Sequence, residues 1–293
     1  MKKYSLLIIL LFTYAIGFTH QNISKPIEIP FTLTPNGHIM IKATVNGVEG
    51  NFVFDTGAGL NMVTKKFADK VGNLEPTNHF HTGHRATGEA LETDLWIANT
   101  LAINDFMVAS SIFSVFDVDF PLDGLISLTP FIDQPITIDF ENKKLVIESK
   151  KSFKRIVSNE EFEMPLLIAN DKDIVIDIAT TVKLNDTLLL NVNLDSGAGF
   201  DVYRFSSRYM KTLNIDKNTV KSIYKPSDFK PEEGNTYYTT TLSKMTDINQ
   251  NTSVNDFKVT FIDGLIYEGI TSINWIGKKM TIDIQNKRLC VKQ

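Results

Sequence analysis

The sequence predicts an all-β protein made of two tandem lobes. Short apolar or alternating runs bounded by Gly, Asn and Asp recur along the chain, which is typical of strands joined by tight turns. Residues 53–59 read Val-Phe-Asp-Thr-Gly-Ala-Gly, and residues 193–199 read Asn-Leu-Asp-Ser-Gly-Ala-Gly. Residues 137–147 are echoed in the same way by residues 281–291. A tandem duplication of one β-rich unit explains both repeats.

The first 20 residues have the pattern of a secretory signal peptide. Met-Lys-Lys is followed by an apolar run from Leu6 to Phe18, which matches a positive n-region and an apolar core. The run is shorter than the roughly 20 apolar residues that a spanning helix needs. We therefore expect removal of residues 1–20, no stable membrane span afterwards, and a periplasmic, envelope-associated or secreted protein.

The lobes are expected at residues 22–150 and 163–293, with a linker rich in Lys, Ser and Glu at residues 151–162. In the first lobe, Asn46-Gly47 between two apolar runs predicts a β-hairpin, and Asn185-Asp186 predicts its equivalent in the second. Helical spacing at residues 61–72 predicts a helix, with a shorter counterpart at residues 206–213.

The composition excludes some classes of function. The chain is 43% hydrophobic and 22% charged with a formal net charge of −4, as in an ordinary globular protein, which argues against nucleic acid as a partner. Cys290 is the only cysteine, so no intramolecular disulfide can form. Its apolar strand context predicts a buried, inert thiol.

The two Asp motifs resemble those of retropepsin-like and pepsin-like aspartic proteases. The single-chain, two-lobed arrangement resembles that of the pepsins, and the Asp-Thr-Gly-Ala motif resembles that of the retropepsins. The resemblance implies two β-barrel-like lobes related by a pseudo-two-fold axis, with an active site in the cleft between them. It also implies that Asp55 and Asp195 form the catalytic pair. By the same resemblance, Thr56 and Ser196 are the hydroxyl residues that cross-link the two Asp loops, and Gly57 and Gly197 are the glycines whose N–H groups hold the carboxylates.

The chemistry of a carboxyl pair supports the same role. Two adjacent carboxyls cannot both ionise cheaply, so they share one proton. The charged member can then take a proton from a bound water while the neutral member donates to the peptide carbonyl. This predicts an aspartic endopeptidase that needs a peptide or protein substrate but no cofactor and no metal. A monomer suffices, because one chain supplies both carboxyls.

Residues 123–126 and 263–266 both read Asp-Gly-Leu-Ile, at equal distances after Asp55 and Asp195. The family pattern has a glycine directly after the apolar pair, where this chain has Ser127 and, by this alignment, Tyr267. The missing glycines leave open a peptide-binding module that keeps the fold without turnover. A further alternative is an envelope structural or interaction protein in which the small turns only pack the two β lobes.

Three further expectations concern the cleft. Glycine-containing polar stretches predict a flap at residues 82–88 and a second at residues 232–238. Ala58 and Ala198 stand where many pepsins have a hydroxyl residue that bonds the carboxylates, so the pKa values of the pair should be raised. His79, His81 and His84 lie close together, but without neighbouring Cys or paired acids they are interpreted as a polar flap segment rather than a metal site.

Overall fold

The computed structural model describes residues 23–227 and 231–293. The predicted signal peptide, residues 1–20, lies outside this part of the chain. The helices are α1 (Lys65–Val71) and α2 (Lys150–Asn159). The strands are β1 (Ile27–Pro30), β2 (Thr32–Leu33), β3 (Ile39–Val45), β4 (Val48–Phe54), β5 (Asn61–Thr64), β6 (Glu75–His84), β7 (Ala90–Ile103), β8 (Phe106–Phe116), β9 (Gly124–Ile126), β10 (Ile136–Asp139), β11 (Lys144–Ile147), β12 (Phe162–Pro165), β13 (Leu167–Asp171), β14 (Val175–Leu184), β15 (Leu188–Leu194), β16 (Tyr203–Ser206), β17 (Lys221–Pro226), β18 (Gly234–Asp247), β19 (Ser253–Ile262), β20 (Gly269–Thr271), β21 (Lys279–Asp283) and β22 (Arg288–Lys292).

Two eight-stranded sheets repeat one topology. The first has the order β2-β3-β4-β9-β5-β8-β7-β6, and β3 also pairs with β7, which folds the sheet back on itself. The second has the order β13-β14-β15-β20-β16-β19-β18-β17, with β14 pairing with β18 in the same way. Each strand of one sheet has an equivalent in the other. The predicted all-β fold with two barrel-like lobes is confirmed.

A third sheet joins the lobes. Its order is β1-β11-β10-β21-β22-β12, so each half of the chain contributes three strands. At its centre β10 and β21 run antiparallel, with Thr137 opposite Thr281. The hydroxyls of these two residues lie 2.7 Å apart. Since the two threonines are equivalent positions of the repeat, the pseudo-two-fold axis passes between them.

The predicted hairpins form where turn residues allow a left-handed backbone. Asn46 and Gly47 have φ angles of 48° and 82° and connect β3 to β4. Asn185 and Asp186 have φ angles of 47° and 58° between β14 and β15. Asn, Asp and Gly tolerate this region best, so the turn chemistry is local.

The predicted helix at residues 61–72 is only partly correct. Residues 61–64 form strand β5, and the helix begins after Thr64, whose side chain accepts a hydrogen bond from the Phe67 N–H. Gly72 ends it with a φ of 71°. Strand pairing of β5 with β8 and β9 overrides the helical spacing. In the second lobe the counterpart is a single 3₁₀ turn, Ser207–Tyr209.

The predicted linker contains a helix. Helix α2 begins after Ser149, whose hydroxyl accepts from the Ser152 N–H while the Ser152 hydroxyl accepts from the Ser149 N–H. This capping box satisfies two N–H groups that a helix start would otherwise leave unpaired. The lobe boundaries at residues 150 and 163 stay a prediction.

Candidate active site

Asp55 and Asp195 occupy equivalent places in the two lobes. Asp55 directly follows β4, and its N–H donates to the Ile126 carbonyl at 2.9 Å. Asp195 directly follows β15, and its N–H donates to the Thr271 carbonyl at 2.9 Å. Each Asp therefore leaves its sheet at the point where a neighbouring parallel strand anchors it.

The hydroxyls of Thr56 and Ser196 cross-link the two Asp loops. The Thr56 hydroxyl donates to the Leu194 carbonyl at 2.7 Å and accepts from the Ser196 N–H at 3.0 Å. The Ser196 hydroxyl donates to the Phe54 carbonyl at 2.8 Å and accepts from the Thr56 N–H at 3.0 Å. Both side chains are buried. Four reciprocal hydrogen bonds thus hold loops from opposite halves of the chain together.

Gly57 and Gly197 allow the carboxyls to meet. A Cβ on Gly57 would lie 2.5 Å from the Asp195 Cγ, and a Cβ on Gly197 would overlap the Asp55 carboxyl. Neither position can carry a side chain without displacing the opposite acid. The two carboxyls are close enough to interact directly, since each changes the pKa of the other. The structure therefore brings all six sequence-predicted site residues together.

The two carboxyls differ in their hydrogen bonds. Asp55 accepts the N–H groups of Gly57 at 2.8 Å and Ala58 at 3.1 Å. Asp195 accepts the N–H of Ala198 at 2.9 Å. Burial raises the pKa of both groups, and for Asp195 the adjacent Asp55 charge adds to burial and raises the pKa to about 8. The additional N–H donor to Asp55 favours its ionised form, and the adjacent negative charge favours the protonated form of Asp195.

Comparison with known proteins finds a similar family. A family model described as aspartyl protease matches residues 41–129, which include Asp55, Thr56 and Gly57. The match covers less than half of the chain and shows that this part is similar to aspartyl proteases. The resemblance predicted from the Asp motifs is confirmed.

Among solved structures, a retropepsin-like aspartic protease from Rickettsia conorii is similar to this chain, with 24% sequence identity and a TM-score of 0.34. That similarity covers 43% of this chain and 92% of the Rickettsia protein. No curated protein matches the chain. The match to the aspartyl protease family model ends before the second motif. Asp195 is related to the matched Asp55 by the internal repeat and the equal strand order of the two lobes.

One member of the Asp55–Asp195 pair, here called the dyad, lines a cleft of about 730 Å³ between two β-hairpins. The lining includes Asp195 and Gly57. One wall is the tip of the β6–β7 hairpin, which contains most of the first predicted flap, and the other is the β17–β18 hairpin, which contains the second. At the first tip the Ala86 carbonyl accepts from the Ile266 N–H of the second lobe at 3.0 Å. The first hairpin therefore closes over the cleft.

The two Asp-Gly-Leu-Ile segments, residues 123–126 and 263–266, are not structurally equivalent, although their sequences are identical. Strand β9 runs parallel to β4 with Gly124 opposite Phe52, and its equivalent is β20, with Gly269 opposite Val192. Gly264, which the sequence alignment selects, is instead a turn glycine with a φ of 82°. A Cβ on Gly269 would lie 2.6 Å from the Phe205 ring, so close packing beside the Asp strand needs glycine there.

This correction changes which residue replaces the family glycine in the second lobe. The counterpart of Ser127 is Ser272 rather than Tyr267, and both serines are fully buried. Ser127 donates its N–H to the Asn61 side chain at 3.0 Å, and the Ser272 hydroxyl accepts from the Val202 N–H at 3.1 Å. Tyr267 is a cleft residue whose phenol pKa is raised by burial, so its hydroxyl stays protonated.

Sequence analysis missed two charged groups beside the dyad. Arg204, on β16, lines the cleft. Asp177, on β14, lies against the first Asp loop, with one carboxyl oxygen 3.5 Å from where a Gly59 Cβ would be. Burial raises the Asp177 pKa. Neither residue belongs to a repeated motif, and strand alternation after the second Asp loop was the available signal for Arg204.

Metal-ligand geometry is found away from the dyad. His79, His81 and His84 lie on β6. Within residues 23–227 and 231–293, the group whose ligand atoms all lie within 4.8 Å of one another is Glu160, Glu163 and Cys290. Glu163 is already paired with Arg288 at 3.0 Å, and burial raises the Cys290 pKa, which keeps the thiol protonated. This group therefore has the chemistry of a buried polar contact rather than of a metal centre.

Proposed function

We propose that the protein is an aspartic endopeptidase that hydrolyses peptide bonds with a water molecule activated by Asp55 and Asp195. The supporting observation is the pair of cross-linked Asp loops, which bring Asp55 and Asp195 close enough for each to change the pKa of the other. The family match over the first lobe supports the same reaction class.

The unequal surroundings of the carboxyls give each a role. Asp55, whose ionised form is favoured by two backbone N–H groups, takes a proton from the attacking water. Asp195 donates its proton to the carbonyl oxygen of the scissile bond as that oxygen gains negative charge. Water adds directly to the peptide carbonyl, so the reaction passes through no covalent enzyme intermediate.

Partners and location follow from the same proposal. The substrate is a peptide or protein that lies across the dyad beneath the hairpins, and one chain is sufficient because it supplies both carboxyls. Export is supported by the signal-like residues 1–20. Across the described residues, no helix has the length and apolar character to cross a membrane.

The decisive experiment is cleavage of a mixed peptide library by the wild type and by Asp55→Asn and Asp195→Asn. Each substitution keeps the side-chain shape but removes the proton exchange, so we expect kcat/KM to fall by at least about 10²- to 10⁴-fold. A statine-type transition-state mimic should inhibit the wild type. Asp69→Asn is the matched control, because Asp69 is an exposed carboxylate paired with Lys65 on α1 and should leave cleavage unchanged.

The alternatives give different results in the same assay. A peptide-binding module would bind library peptides without cleaving them, and binding would survive both dyad substitutions. A structural or interaction protein would neither bind nor cleave, and the substitutions would change only its thermal stability. Persistent cleavage by both dyad variants would overturn the proposal.

A further inference from the structure

We propose that Arg204 makes the second-lobe side of the cleft selective for a substrate side chain that carries a carboxylate. The inference rests on the proposed peptidase function, whose substrate it narrows. It assigns a specificity determinant outside the repeated Asp motifs.

Strand pairing holds Arg204 close to the dyad. Arg204 lies opposite Ile270 on β20, and Ile270 lies opposite Asn193 on β15, two residues before Asp195. The Arg204 side chain lines the same cleft as Asp195. Its positive charge lowers the Asp195 pKa, against the larger effects of burial and Asp55. A substrate side chain next to the scissile bond on this side would therefore meet the guanidinium.

The guanidinium lacks a protein acceptor. Among the described residues, no hydrogen bond or ion pair of the Arg204 side chain is found, although the residue is partly buried. Arginine always carries its charge and has five N–H donors. Leaving such a group partly desolvated and unpaired is unfavourable. A carboxylate is the ligand that matches its fork of donors, because two parallel N–H···O bonds can form.

The equivalent position in the first lobe has no counterpart of the positive charge of Arg204. Met62 in the first lobe lies opposite Leu125 on β9, as Arg204 lies opposite Ile270 on β20. The first lobe thus offers a thioether where the second offers a guanidinium. The two halves of the cleft therefore differ in charge, so an extended peptide with one acidic side chain would bind in a defined orientation.

The other charges of the cleft reinforce this asymmetry. Arg85 lies 3.6 Å from Glu89 within the first hairpin, so these two opposite charges compensate each other. Lys225 of the second hairpin lies with its ammonium 5.0 Å from the centre of the Tyr237 ring. The second-lobe wall therefore carries Arg204 and Lys225, both positive, facing the substrate space.

The test compares pairs of peptides that differ only in Glu or Gln at one position around the scissile bond. For the wild type we expect kcat/KM to be at least about tenfold higher for the Glu peptide at one position, as for a charge-assisted hydrogen bond. Arg204→Met, which installs the first-lobe counterpart, should bring this ratio close to one. Arg204→Lys should retain a reduced preference, since the charge stays but the fork is lost.

Arg208→Met is the matched control, because Arg208 is exposed on the neighbouring 3₁₀ turn and its loss should leave the Glu/Gln ratio unchanged. Arg204→Gln replaces Arg204→Met if the latter does not fold. A wild type that cleaves Glu and Gln peptides equally would overturn the inference while the peptidase function stands. So would a preference that survives Arg204→Met and disappears in Lys225→Met. Complete absence of cleavage would overturn both proposals.

Discussion

Asp55 and Asp195 have similar sequence contexts but differ in their hydrogen-bond donors and in the charges beside them. Asp55 accepts two N–H groups of its own loop, whereas Asp195 accepts the N–H of Ala198 and faces the charge of Asp55. N–H donors favour a carboxylate and a neighbouring negative charge disfavours it. The surroundings therefore favour Asp55 as the proposed base and Asp195 as the proposed acid.

Raised pKa values determine the expected pH dependence of proteolysis. A group with a raised pKa keeps its proton to higher pH, so activity should fall on the alkaline side as Asp195 deprotonates around its pKa of about 8. The acid limb should follow Asp55, whose pKa burial also raises. We expect the kcat/KM profile to peak at weakly acidic to neutral pH. Ala198→Ser, which adds a possible hydroxyl donor near Asp195, should shift the profile to lower pH, and a wild-type optimum in strong acid would contradict the prediction.

The Asp loops depend on the strands that carry them. Strands β4 and β15 end in Phe54 and Leu194, whose carbonyls accept hydrogen bonds from the cross-linking hydroxyls. The parallel strands β9 and β20 pair with β4 and β15 and so position each Asp along its strand. The connection is reciprocal, so a change in one loop leaves unpaired groups in the other. The hydroxyl pair is consequently expected to stabilise the fold as well as the site.

Removing one hydroxyl tests this cross-link. Thr56→Val leaves the buried Ser196 N–H and Leu194 carbonyl without partners, and each unsatisfied group costs about 1–3 kcal/mol. We expect the free energy of unfolding, measured by urea denaturation, to fall by about 2–4 kcal/mol. Thr246→Val is the matched control, because the buried Thr246 hydroxyl has no hydrogen-bond partner among the described residues. It should be neutral or slightly stabilising, and equal losses in the two variants would refute the cross-link.

The two lobes share structure across the whole molecule. Three strands from each half form the joining sheet, and the largest apolar cluster contains buried residues of both lobes, such as Phe54 and Phe205. Phe200, from the second Asp loop, packs its ring 5.3 Å from that of Phe140 and leaves no room for a side chain on Gly37. Separation of the lobes would expose these surfaces and unpair β10 from β21.

We therefore expect the two lobes to unfold together. Differential scanning calorimetry should give one transition whose calorimetric and van't Hoff enthalpies agree. Thr281→Val removes a hydrogen bond on the pseudo-two-fold axis and should lower the transition temperature without splitting the peak, since a single net hydrogen bond contributes about 1 kcal/mol. Two resolved transitions in the wild type would show that the lobes unfold independently.

Local chemistry made the Asp motifs and turns predictable. Asn46 and Gly47 favour their turn through their own φ preferences, and Gly57 and Gly197 are recognisable because only glycine allows such close approach. Sequence analysis did not predict the strand at residues 61–64, because the helical spacing of these residues contains no information about their pairing with β8 and β9. The incorrect alignment of Gly264 with Gly124 has the same cause, since identical residues do not show which strand lies beside the strand that carries Asp195.

A duplicated β protein with two Asp-hydroxyl-Gly loops is predictable from the sequence alone, because backbone freedom and alternating polarity act over a few residues. Only the folded chain reveals that Gly269 rather than Gly264 packs beside β15, that burial and Asp55 raise the pKa of Asp195, and that Arg204 lines the cleft. These properties arise from strand register, burial and charges contributed by residues distant in the chain. They exist only after both lobes have closed around the pair.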